Sequence, residues 1–148
     1  MKDLGRTKLC LGLQIDQLTN GIFVHQSTYT EKVLKRFCMD EAHSLCTSMV
    51  VRSLDVNKDP FPPQKNDEEI RGYEVPYLSA IGALMYLANI TRPDIDFVVN
   101  LLARYSSAPT RRHWCAIKQI LRYLKGSTDV GLFHSINCSP NLVGYADA

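Results

Sequence analysis

Between Phe97 and Thr128 the chain has no aspartate or glutamate, although Arg104, Arg111, Arg112, Lys118, Arg122 and Lys125 all lie there. Five cysteines (Cys10, Cys38, Cys46, Cys115, Cys138) include no Cys-x-x-Cys pair. An odd, irregularly spaced set excludes a disulfide framework and reads as reduced, mostly buried small hydrophobes of an intracellular protein. Cys38, His43 and Cys46 offer three metal ligands without a fourth nearby, so no zinc site is assigned. No signal peptide is expected ahead of the fold, and the longest apolar stretch, Tyr77 to Ile90, is 14 residues, too short for a bilayer. The chain is therefore expected in cytoplasm or nucleus, neither secreted nor in a membrane. There is no Gly-rich phosphate loop and no nucleophile elbow. His25, His43 and His134 have no nucleophile or carboxylate partner at a telling spacing and receive no role.

What is present is an ordinary globular composition, with 45% hydrophobic and 22% charged residues among 148. The net charge of +2 conceals a division. Residues 1–39 carry six basic and three acidic side chains, residues 40–74 four and eight, and residues 75–148 seven and four. Two basic ends are joined by an acidic middle, so an anion-binding surface is expected from the ends.

Leu9, Leu11, Leu13 and Ile15 alternate with polar or small residues, the period of a half-buried strand. Thr19-Asn20-Gly21 predicts a turn, because Asn and Gly tolerate positive φ, and Ile22–His25 returns as its partner. A helix to about Met39 is expected, capped by Ser27 or Thr28 with Glu31 completing a capping box. Residues 44–75, with Pro60, Pro62 and Pro63, read as an acidic, Pro-rich connector. Helices over about 76–89, 93–106 and 110–125 follow, the first two started by Pro76 and Pro93 and the third capped by Thr110 and ended by Gly126 as a C′ residue. Val130–Phe133 and Leu142–Tyr145 read as strands.

On a helix turning about 100° per residue, Arg111, Lys118, Arg122 and Lys125 fall within roughly 60° of arc. Trp114, Ile117, Ile120, Leu121 and Leu124 take the apolar side, which places Trp114 in the core. Such a row suits a polyanion backbone, since neutralised phosphates release counterions; a merely solvated face is the alternative. His113, beside Arg112, is a polar surface residue or a further phosphate contact.

Several phrases occur in a telling order: Pro76-Tyr77-Leu78-Ser79-Ala80-Ile81-Gly82, Thr91-Arg92-Pro93-Asp94-Ile95, His113-Trp114, Ile120-Leu121-Arg122-Tyr123-Leu124-Lys125-Gly126 and Val143-Gly144-Tyr145-Ala146-Asp147. Together with Met1-Lys2-Asp3-Leu4-Gly5, Leu11-Gly12 and Gly21-Ile22, this order resembles the reverse transcriptase region of copia-type LTR retrotransposon polyproteins. The resemblance covers essentially the whole chain and is weakest over 46–72. It implies an α+β chain: an N-terminal β-hairpin, a helical thumb-like bundle, and a C-terminal β-hairpin beginning an RNase H-like domain. The implied units are 1–43 (palm-end hairpin and first thumb helix), the connector 44–75, thumb-like helices 76–126, and 127–148 (connection and first RNase H strand).

The same resemblance implies a function as a non-catalytic piece of an RNA-directed DNA polymerase. The family's polymerase aspartates, including a Tyr-Val-Asp-Asp turn, have no counterpart here. Asp147 matches the first RNase H metal aspartate, but one carboxylate cannot hold two metals. Catalysis and a cofactor are thus not expected of this chain alone, while the parent enzyme would use magnesium. Leu11, Gly12 and Leu13 match the hairpin that positions a primer's 3′ end, Gly12 allowing close backbone approach. The implied partners are an RNA–DNA or DNA duplex held by its backbone, and the missing palm and RNase H portions. A domesticated protein-interaction module or a non-functional remnant remain alternatives. Asp94 and Asp96 are expected to favour the positive ends of helix dipoles.

Overall fold

The computed structural model describes residues 7–49 and 76–137. Most of the 44–75 connector, the Met1–Gly5 segment, Cys138, the expected strand at 142–145 and Asp147 lie outside the described residues. The chain is mixed α+β, with a four-stranded antiparallel sheet and four α-helices among the described residues.

Strands β1 (Leu9–Cys10), β2 (Leu13–Leu18) and β3 (Gly21–His25) form a meander. The alternating run expected as one strand from Leu9 to Ile15 is thus broken in two. Leu11 and Gly12 take φ of 49° and 83° and reverse the chain between the paired Cys10 and Leu13. Two consecutive positive-φ residues match the right-handed twist of the flanking strands. Leu9 and Leu11 are consequently 67% and 89% exposed instead of half-buried.

The second turn falls where expected, but neither Asn20 nor Gly21 has positive φ. Gly21 is required for another reason. A Cβ there would strike the His134 carbonyl oxygen and the Phe133 ring. Both belong to β4 (Leu132–Ser135), whose Ser135 pairs with Gly21 and whose Phe133 pairs with Phe23. We therefore expect Gly21→Ala to loosen β4. Its amides should exchange with deuterium at least about fivefold faster, since clearing an overpacked contact costs about 1–3 kcal/mol; unchanged β4 protection would contradict this geometry.

Strand β4 starts two residues later than the expected Val130 and adds to β3, so all four helices are inserted between adjacent strands. Among the described residues it is the edge of the N-terminal sheet, and its expected hairpin partner at 142–145 lies outside them.

Helices α1 (Ser27–Arg36), α2 (Tyr77–Ile90), α3 (Asp96–Ala103) and α4 (Arg111–Lys125) share one core. Leu84, Leu87, Ile95, Val99, Leu102, Ile117, Ile120, Leu121 and Leu124 are completely excluded from solvent. Each contributes about 1.5–3 kcal/mol of hydrophobic stabilisation. Pro93 opens a 3₁₀ turn, Pro93–Ile95, and α3 begins only at Asp96. Helix α1 is preceded by Gln26 without side-chain capping, so the expected Thr28–Glu31 box is not formed. Instead Gln14 Oε1 accepts the Thr28 backbone N–H at 2.9 Å, so a strand side chain takes the role of a local cap.

Among the described residues, none of the strands joins the helical core. The sheet is attached through hydrogen bonds: Gln14 to Thr28, His25 Nδ1 to Ser27 Oγ (2.7 Å), and Tyr86 Oη donating to the Leu11 carbonyl (2.8 Å). Cys10, Cys38, Cys46 and Cys115 are all exposed, against the expectation of mostly buried thiols. The reason is local. Cys10 lies on an edge strand, Cys38 follows α1 in left-handed backbone (φ 54°), and Cys115 is on the outer side of α4.

Candidate nucleic-acid interface

Helix α4 begins at Thr110, as its extended backbone and buried position allow. The capping box is closed by His113 in place of the usual Glu or Gln, its Nδ1 accepting the Thr110 N–H at 3.0 Å. His113 is 5% exposed and stacks on Tyr105 with centroids 4.1 Å apart. This corrects the surface reading of His113, which is a helix-start residue and does not face solvent. Gly126 ends α4 with φ −77°, so its use is not left-handed backbone. A Cβ on it would press on Ser44 Cβ at 3.1 Å, because the 43–45 segment crosses the end of the helix.

That crossing divides the basic row. Arg111 and Lys118 are exposed. Arg122 is half-buried; its Nε donates to the His43 carbonyl at 2.7 Å, and its own carbonyl accepts the Leu45 N–H at 3.1 Å. Lys125, also half-buried, lines a shallow groove with Glu31, Lys35 and Asp40 between α1 and the end of α4.

Where α1 and α4 meet, cations and aromatic rings alternate. The Arg36 guanidinium lies 5.7 Å from the Phe37 centroid, Phe37 meets Trp114 edge-on at 6.4 Å, and Lys118 Nζ stands 6.0 Å from the Trp114 centroid. Trp114 is therefore half-buried at the margin of the core and not inside it. Lys35 and Arg36 of α1, both exposed, lie beside this row, Lys35 with Lys125 and Arg36 over Phe37, while Lys32 is exposed elsewhere on α1. Their spacing was visible in the sequence, but only helix packing brings Lys35 and Arg36 next to α4.

The Thr91-Arg92-Pro93-Asp94 phrase has a structural use. Arg92 is 2% exposed. Its Nε and one terminal nitrogen donate to both Asp94 oxygens at 2.9 and 2.7 Å; Ser127 receives two further bonds, to its carbonyl and Oγ, each 2.7 Å. Tyr123 Oη donates to Asp94 Oδ2 at 2.7 Å, and the guanidinium lies 5.5 Å from the Tyr123 centroid. Asp94 thus clamps the α2–α3 corner to the end of α4, a role stronger than the expected helix-dipole preference. Burial would push the Asp94 carboxyl up, but the bonds from Arg92 and Tyr123 prevail and hold it below the ordinary range. Asp96 opens α3 and accepts from Asn100 Nδ2 at 2.9 Å.

His25 also has partners that spacing did not reveal. Its Nε2 lies 3.2 Å from Asp16 Oδ2 across the β2–β3 ladder, and its Nδ1 lies 2.7 Å from Ser27 Oγ. The Ser27 hydroxyl donates to the Thr128 carbonyl at 2.7 Å, so the chain of contacts ties the end of β3 and the start of α1 to the segment after α4. Among the described residues no group of three or more His, Cys, Asp or Glu is placed to hold a metal, and no helix is long and apolar enough to cross a membrane.

No family profile and no solved structure matches the chain. Curated proteins do. The retrovirus-related Pol polyprotein from transposon TNT 1-94 of Nicotiana tabacum is 38% identical over 150 residues, covering 100% of this chain and 11% of the relative. That from transposon RE1 of Arabidopsis thaliana is 32% identical over 148 residues, covering 100% of this chain and 10% of the relative. An uncharacterized Arabidopsis mitochondrial protein, AtMg00810, is 31% identical over 151 residues, with 100% of this chain and 58% of that protein aligned. The chain spans a small part of the polyproteins and just over half of the shorter relative. Along its whole length the chain is thus similar to a stretch of the retrovirus-related Pol polyproteins of copia-type transposons.

Proposed function

We propose that this chain is the part of a reverse transcriptase that holds the template–primer duplex, contributing affinity and not chemistry. The observation that carries the reading is the cation-rich side where α1 and α4 meet: Arg36 of α1 is exposed there, and α4, which has no acidic residue, adds exposed Arg111 and Lys118 and half-buried Arg122 and Lys125. Contacts of Lys and Arg with phosphates position a duplex without reading its sequence, as a polymerase moving along any template requires. In this reading residues 1–43 and 76–126 are the palm end and thumb, 44–75 connect them, and 127–148 lead into an RNase H domain. Asp147 would ligate magnesium only beside carboxylates supplied by a longer parent chain. The Leu11–Gly12–Leu13 turn lies near the primer's 3′ end. Binding of a short RNA–DNA hybrid over a range of salt tests this. A steep negative slope is expected, and salt-independent or absent binding would refute it.

A second reading has its own observation. Helix α2 contains no charged residue, yet Leu78 is 67% exposed and Gly82 is open, while Phe97 of α3 is 65% exposed. Apolar helix surface of this kind is normally covered. The missing palm of a parent polyprotein, or a protein partner in a domesticated module, would cover it. Concentration-dependent self-association without duplex binding favours that alternative.

A further inference from the structure

We propose that Tyr86 is a positioning residue that latches the β1–β2 turn for contact with the end of a nucleic-acid strand; this rests on the duplex-holding reading above. The turn tip is unfavourable by itself. Leu11 combines a left-handed backbone (φ 49°), which costs a branched side chain about 1–2 kcal/mol, with 89% exposure of an apolar side chain. Neither is relieved within the turn. Strain of this kind persists where surrounding structure holds it, and it gathers at ligand contacts.

The holding group is identifiable. Tyr86 Oη donates to the Leu11 carbonyl at 2.8 Å, and a Cβ on Gly12 (φ 83°) would meet the same oxygen at 3.1 Å. Gly12 is thus demanded first by this turn and this hydroxyl. The Tyr86 ring is steadied by Tyr29 of α1, edge-to-face at 4.9 Å. Two helices of the bundle, α1 through Tyr29 and α2 through Tyr86, therefore fix the tip. With its carbonyl taken by Tyr86, the tip presents the Leu11 side chain outward, an apolar cap of the size of a sugar or base face. A terminal nucleotide, whose face is not covered by a following base, is the ligand that this cap fits.

Tyr86→Phe isolates the latch, because the ring and its contact with Tyr29 remain. The probe is a short RNA–DNA hybrid whose recessed DNA 3′ end carries 2-aminopurine as its last base, compared with a hybrid of equal length whose two ends are closed by loops and which therefore offers no terminal nucleotide. For Y86F in the full chain, affinity for the loop-closed hybrid should be unchanged. The terminal fluorescence response and the preference for the recessed end should fall about threefold to tenfold, the range of one neutral hydrogen bond. Deuterium exchange at the tip amides should rise by a similar factor. Duplex binding with an unaltered terminal response in Y86F overturns the latch. Absence of duplex binding by the unaltered chain overturns the duplex reading, and the positioning role with it.

Discussion

Replacing Arg92 with alanine is expected to destabilise the fold by about 3 kcal/mol in urea denaturation, the lower end for breaking a buried ion pair. The guanidinium is 2% exposed, but the Asp94 side chain keeps 33% of its surface in water, so the carboxylate left behind is partly resolvated. The loss is distributed over two elements. Without Arg92, the Ser127 carbonyl and hydroxyl lose their donors and the end of α4 is released from the α2–α3 corner. Acid should act on the same clamp. Because Asp94 is held below the ordinary carboxylate range, its stabilisation is complete above about pH 4 and is lost as pH falls through its lowered native value. Asp94→Asn should flatten that part of the stability–pH curve. An Arg92→Ala loss under about 1 kcal/mol would show that the network contributes little beyond the surface range.

The second large effect concerns affinity. Arg111→Glu and Lys118→Glu, combined with Lys125→Gln, should remove most duplex binding at moderate salt. If each native cation meets one phosphate, the slope of log K against log salt should become shallower by about 2.7. The choice of positions follows from the structure. Arg122 is left intact because its Nε holds the His43 carbonyl, and removing it would loosen the 43–45 crossing as well as remove a charge. Lys125 is neutralised and not reversed because another carboxylate would join Glu31 and Asp40 in the groove. Circular dichroism should show unchanged helicity. Equal slopes for variant and parent would leave the basic row as a solvated surface.

The helices were the readable part of the fold. Pro76 and Thr110 marked starts within one residue of α2 and α4, and the apolar positions of α4 are those found buried, with Trp114 displaced to the margin. Proline geometry and helical periodicity are local properties, so neighbours in sequence suffice to express them. Pro93 also marked a start, but a 3₁₀ turn precedes α3, because the Arg92–Asp94 clamp occupies that corner. The strands were less readable. Alternation at Leu9–Ile15 looked like one strand, because nothing local to a leucine announces left-handed backbone; Tyr86, 75 residues away, holds it. His113 looked like a surface residue because its burial depends on Tyr105 lying against it.

From the chain alone came the family resemblance, the helical segments, the one-signed charge between Phe97 and Thr128, and the angular alignment of Arg111, Lys118, Arg122 and Lys125 on α4. All depend on residue order and on the fixed rotation per residue of a helix. Tertiary structure alone decided that β4 closes onto β3, that α1 adds Arg36 beside Lys118, that Arg122 is tied to His43, and that Arg92 serves the core. Each of these joins residues far apart in the chain. Such contacts form only when many side chains are buried together, and no window of sequence contains both partners.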